Sequence, residues 1–106
     1  MKEITVQELK EKKEASENFV LIDVREDFEY LVSNLDGTHI PLGDLDSRLS
    51  EIEDQKDAEL IIMCRSGGRS GKACNLLSGK GFTNVSNLKG GITAWSKEID
   101  PSMPVA

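Results

Sequence analysis

The chain is poor in the residues that build disulfide scaffolds, metal centres and membrane spans. It carries two cysteines and one histidine among 106 residues. Such a set lacks the clustered ligand spacing of a zinc site, so no metal and no cofactor are expected. No apolar run approaches the ~18 residues that a membrane helix needs. The opening Met1-Lys2-Glu3-Ile4-Thr5 has no apolar segment of the kind a secretory signal carries. A cytoplasmic protein without a membrane partner is therefore expected. Aromatic residues make up 5% of the chain, the net charge is −6, and no basic stripe interleaves with aromatics. That balance argues against nucleic acid as a partner.

What is present fits one globular domain over residues 1–106, with 99–106 as a tail frayed at Pro101 and Pro104. Charge is unevenly spread. Residues 1–63 hold 17 acids against 7 bases, whereas 64–97 hold 6 bases and no acid. A mixed solvated surface accounts for this; alternatively, a small anion is drawn to the acid-free stretch. Apolar runs at Phe19–Val24 and Leu60–Met63 alternate with helical spacings, which points to an α/β domain. Its sheet is expected to be mainly parallel and covered by helices on both faces.

Local signals place the other elements. Glu3-Ile4-Thr5 reads as a first strand or arm, and Thr5 with Glu8 forms a capping box for a helix reaching about Lys13. Arg25 to Tyr30 opens a short helix with acids in its first turn. Leu45 and Leu49 mark a short amphipathic helix, and Glu51 to Glu59 an acidic, solvated connection. Gly81 is expected to stop a helix as a left-handed cap. Val85 to Leu88 reads as the last strand. Gly90-Gly91 reads as a sharp turn into a helix bearing Ile92, Ala94 and Trp95, with Trp95 in the core. Asp23, a carboxylate in an apolar strand, either caps a nearby turn or pairs with Arg25 or a loop arginine.

One stretch organises the rest: Cys64-Arg65-Ser66-Gly67-Gly68-Arg69-Ser70. It follows the Leu60–Met63 strand and precedes Lys72 to Leu77, where Ala73, Leu76 and Leu77 fall at helical spacing. A cysteine thus ends a strand beside a glycine-containing loop and the start of a helix. Backbone N–H groups at such a place favour negative charge, so the thiol of Cys64 is expected to ionise easily. Cys74 falls about one and a half turns into the following helix. Disulfides need Cα atoms within ~7 Å, and a helix rising ~1.5 Å per residue separates the two. Cys74 is expected to be a small core residue.

This loop resembles the active-site loop of the single-domain rhodaneses, the thiosulfate sulfurtransferase family. Four flanking segments agree in order: Leu21-Ile22-Asp23-Val24-Arg25-Glu26, His39-Ile40-Pro41-Leu42, Gly81-Phe82-Thr83-Asn84-Val85 and Gly90-Gly91-Ile92-Thr93-Ala94-Trp95. The resemblance implies a three-layer rhodanese-like α/β/α fold of about five strands. It favours a structural role for Asp23 and places His39 on a strand-like segment, away from general-base duty. Ser33 to Thr38 departs from the family pattern. Asn34 stands where the family has a histidine, while Leu35 takes the core position and Gly37 keeps the turn.

The implied reaction suits the residues. Thiolate at Cys64 would attack the outer sulfur of thiosulfate or of a related persulfide. Sulfite leaves without needing an acid, and a persulfide remains on Cys64. Cyanide or a thiol, including that of a small thiol protein, would then remove the sulfur, giving ping-pong kinetics. Arg65 and Arg69 would attract and orient the anion, unless they are plain surface charges. Amides of Ser66, Gly67, Gly68, Arg69 and Ser70 would form the cradle. A monomer is expected. Two rivals stand beside this reading. A sulfur-relay module would take sulfur from a partner protein by the same chemistry. A cysteine phosphatase would need arginine six residues after the cysteine for bidentate grip on phosphate, and that position is Ser70.

Overall fold

The computed structural model describes residues 1–106. Five strands, β1 (Lys2–Ile4), β2 (Val20–Asp23), β3 (Thr38–His39), β4 (Leu60–Met63) and β5 (Val85–Leu88), form one parallel sheet in the order β1-β5-β4-β2-β3. All four residues of β4 are buried, as a central strand covered on both faces requires. Alternation of its side chains divides the core. Leu60 and Ile62 join Ala73, Cys74, Leu77 and Phe82 on one face. Ile61 and Met63 join Leu9, Leu88, Ile92 and Trp95 on the other. Each buried aliphatic side chain contributes about 1.5–3 kcal/mol relative to exposure.

Helices supply the outer layers. The helix α1 (Val6–Glu14) and the C-terminal α5 (Gly91–Glu98) cover one face; α3 (Leu42–Leu45), a 3₁₀ stretch (Asp46–Gln55) and α4 (Gly68–Gly79) cover the other. A short helix, α2 (Asp27–Val32), follows β2. The expected capping box is present: the Glu8 amide donates to Thr5 Oγ1 at 3.1 Å, and the Thr5 amide to Glu8 Oε1 at 3.0 Å. Gly81 adopts φ +93° after the last turn of α4, as expected of its cap position.

Three expectations are corrected. The helix after the cysteine loop begins at Gly68, so Gly68, Arg69 and Ser70 form its first turn. Glu51 to Glu59 is not a plain solvated connection: 3₁₀ turns run to Gln55, and Ile52 anchors them in the core. In the Asn34–Thr38 turn, where Gly37 is retained, the left-handed residue is Asp36, at φ +61°. Gly37 is needed for close approach instead, since a Cβ there would meet the Leu21 carbonyl oxygen at 3.0 Å. The tail is not frayed. Ile99, Met103 and Val105 pack on the second core, Ser96 Oγ donates to the Met103 carbonyl at 2.7 Å, and Ser33 Oγ donates to the Pro104 carbonyl. Prolines end helix α5 here but leave the chain free to dock apolar side chains.

Candidate active site

Parallel strands deliver their C-terminal ends to one edge, where ligands of open α/β sheets bind. Cys64 leaves the end of β4 at that edge. Its sulfur accepts a hydrogen bond from the Gly67 amide at 3.0 Å. The Ser70 hydroxyl lies 3.3 Å from it. Burial pushes the thiol up, but the Ser70 hydroxyl and the amides of Ser70, Gly67 and Ser66 outweigh it. The net effect draws Cys64 below the ordinary thiol value. Gly67 makes the turn with φ +114°, a conformation that favours glycine. Gly68 and Arg69 place their amides at the open first turn of α4, where no intrahelical acceptor exists.

Carbonyls of the loop are turned the other way and caught by α5. The Ile92 amide donates to the Cys64 carbonyl and the Thr93 amide to the Arg65 carbonyl, both at 3.0 Å. Gly91 makes this possible. It has φ +59°, and a Cβ there would come within 2.4 Å of the Cys64 carbonyl oxygen.

The two arginines are already engaged. Arg69 grips Glu29 with two bonds, of 2.6 and 2.8 Å. The Arg69 guanidinium beside Glu29 holds its carboxyl down at about 2, so it donates no proton at neutral pH. Arg65 Nε donates to the Ala106 carbonyl at 2.7 Å. The acid-free stretch 64–97 is therefore not an acid-free surface, because the fold brings Glu29 into it.

Glu29 is placed by a chain of contacts that starts in β2. Arg25 and Asp23 are both fully buried and paired at 2.8 Å. Asp23 also accepts from the Arg25 amide at 3.0 Å, so both readings of that carboxylate hold at once. Arg25 then donates to the carbonyls of Glu29 and Ser33, which ties α2 to the sheet. Asn34 caps the same helix, donating to the Tyr30 carbonyl at 3.1 Å. His39 stacks on Tyr30, ring centres 4.5 Å apart, with Nε2 2.7 Å from the Arg25 carbonyl. A carbonyl only accepts, so Nε2 carries the proton and His39 is spent on structure.

A model of the rhodanese-like domain matches residues 5–98. The chain belongs to the rhodanese-like domain family. It is 42% identical over 102 residues to YtwF of Bacillus subtilis, covering 95% of this chain and 96% of that protein. It is 36% identical over 96 residues to a protein of Allochromatium vinosum named sulfurtransferase, covering 90% and 88%. Among solved structures, a rhodanese-like domain protein from Staphylococcus aureus superposes with TM-score 0.83 at 30% identity, covering 100% of this chain and 99% of that one. Sequence and fold thus agree on the rhodanese-like domain.

In this rhodanese-like domain the seven residues from Cys64 to Ser70 lie together at one edge of the sheet. Three further contributors escape sequence reading. Glu29 sits 40 positions from Arg69, on a helix that shows only acids in a first turn. Asn87 looks like a polar residue of the last strand, yet it is 5% exposed and faces the loop. Gly91 is legible as a turn but not as the seat of the loop carbonyls. The signal available for Asn87 was a polar side chain inside a strand expected to be buried.

Proposed function

We propose that Cys64 is the nucleophile and sulfur carrier of a sulfurtransferase that uses thiosulfate or a related persulfide. The thiolate attacks the sulfane sulfur; the S–S bond to the leaving group breaks, and sulfite or a thiolate departs with the electron pair. Cys64 then bears a persulfide, whose charge the same amides stabilise. A thiol or cyanide attacks the outer sulfur and returns Cys64 as thiolate. The observation that carries this reading is the place of the Cys64 sulfur at the end of a central strand, where the Gly67 amide donates to it at 3.0 Å and the Ser70 hydroxyl lies 3.3 Å away. The test is intact-mass spectrometry after incubation with thiosulfate, which should add one sulfur mapped to Cys64. No addition from thiosulfate or from a persulfide donor overturns it.

A second reading, the sulfur relay, has its own support. Cys64 is 1% exposed, and none of the surface cavities is lined by residues 64–70. The largest cavity opens at the opposite end of the sheet, beside Phe19, Val20 and Leu35. A cradle this shallow, with both arginines engaged, offers little grip on a free dianion. On α2, Phe28, Leu31 and Val32 stand exposed at helical i, i+3, i+4 spacing, beside the Glu29 that reaches the loop. That apolar stripe suits a protein that carries the sulfur. Persulfide formed only with a protein donor, together with negligible thiosulfate:cyanide turnover, selects the relay.

A further inference from the structure

Asn87 closes a ring of hydrogen bonds around the reactive sulfur. Its Nδ2 donates to the Gly67 carbonyl at 3.1 Å. Its Oδ1 lies 2.5 Å from Ser70 Oγ. Ser70 Oγ lies 3.3 Å from Cys64 Sγ, and the Gly67 amide donates to that sulfur at 3.0 Å. The ring joins β5, the loop and the first turn of α4 through side chains nearly sealed from solvent. Asn87 and Ser70 are 5% and 0% exposed.

The count of protons in this ring is informative. Gly67 offers a carbonyl, so the amide of Asn87 must present Nδ2 to it and Oδ1 to Ser70. Oδ1 only accepts. The Ser70 hydroxyl owns one proton, and both Asn87 Oδ1 and a Cys64 thiolate require it. The hydroxyl donates to the sulfur when Cys64 is a thiolate; when Cys64 is a thiol, the shorter 2.5 Å contact gives the proton to Asn87. Ser70 then shows a lone pair to the sulfur, which suits a thiol S–H and not a thiolate. Ionisation of Cys64 sends its proton to solvent and must turn the hydroxyl away from Asn87.

We propose that Asn87 is a positioning residue that competes with Cys64 for the Ser70 proton and so limits how far the loop stabilises the thiolate. The competition has a chemical benefit. A thiolate grows less nucleophilic as its conjugate acid strengthens. Backbone donors alone would hold the charge tightly; Asn87 keeps one donor in reserve. The charged groups near the sulfur do not duplicate this role. Arg69 stays paired to Glu29 on α2. Cys74, on α4, stays a neutral thiol because burial pushes it up to about 11. From α5, only the uncharged Gly91 and Ile92 reach the Cys64 carbonyl.

The inference rests on Cys64 being the reactive sulfur, and it is tested on thiol ionisation, not on sulfur transfer. The rate of iodoacetamide alkylation of Cys64 is followed against pH by peptide mass mapping, which separates Cys64 from Cys74. Asn87→Leu keeps the volume and removes the acceptor; the midpoint should fall and alkylation at low pH should rise several-fold. Asn87→Asp supplies a stronger acceptor and a charge; the midpoint should rise. In a Ser70→Ala background the effect of Asn87→Leu should vanish. An unchanged or raised midpoint in Asn87→Leu, or an equal shift without Ser70, overturns the inference. If Asn87→Leu fails to fold, Asn87→Asp decides, and a midpoint that does not rise overturns it. A chain that alkylates as expected yet accepts no sulfur leaves this inference standing and removes the proposed function.

Discussion

Cys64 and Cys74 are equally hidden, at 1% and 2% exposed, and both belong to the same face of the core. Their chemistry diverges. Burial, with a smaller push from the Cys64 charge, raises the Cys74 thiol to about 11, whereas the loop donors draw Cys64 below the ordinary value despite similar burial. Cys74 sits in the body of α4, where every nearby amide is spent on a helical carbonyl. Cys64 sits where a strand has ended and a helix has only begun, so amides remain free. The ease of ionisation differs here because of unspent donors and not because of access to solvent.

The sharpest way to break this contrast is to exchange the sulfurs. Cys64→Ser should abolish persulfide formation and transfer, read as no mass gain after thiosulfate or a persulfide donor. Cys74→Ala should retain both; transfer lost with Cys74 and kept without Cys64 would invert the assignment. Next in size is Gly91→Ala. The added Cβ collides with the Cys64 carbonyl at a left-handed backbone position. Destabilisation of about 2–4 kcal/mol is expected in denaturant unfolding, with Cys64 alkylation slowed because the loop amides lose their aim.

Glu29→Gln should cost about 1–3 kcal/mol, since it leaves Arg69 unpaired at a partly buried site. Its pH signature is specific. The Glu29 carboxyl is lowered in the folded chain, from 4.5 to about 2. Its contribution is therefore present above the unfolded value and fades as pH falls from 4.5 towards 2. The wild type should lose stability across that window more steeply than Glu29→Gln, and matching acid limbs would refute the pairing. The smallest effect is on Cys74 itself. Cys74→Ala should cost about 1 kcal/mol through the lost sulfur volume, and its alkylation in the intact protein should stay negligible until pH approaches 11.

The fold was largely legible because its signals are local. The Leu60–Met63 run, the Thr5–Glu8 box and the Gly81 stop each act within a few residues, and the structure has all three. Cys64 and its loop were legible for the same reason. What sequence reading missed acts at long range. Arg69 and Glu29 are 40 positions apart, Ser70 and Asn87 17 apart, and no spacing rule joins them. The tail failed differently. Pro101 and Pro104 signal the end of a helix, but they do not reveal that Met103 and Val105 find an apolar seat.

The grip of α5 on the loop carbonyls sets a limit on how the protein can change. The Cys64 and Arg65 carbonyls meet amides fixed by Gly91, so the width of the cradle is dictated by a helix that begins more than twenty residues later. Adding one residue to the loop, as a larger oxyanion would demand, would tear both bonds unless α5 shifted in step. Accommodation of a different reacting atom therefore calls for two coordinated alterations, one in the loop and one at the mouth of a remote helix, and neither is useful alone.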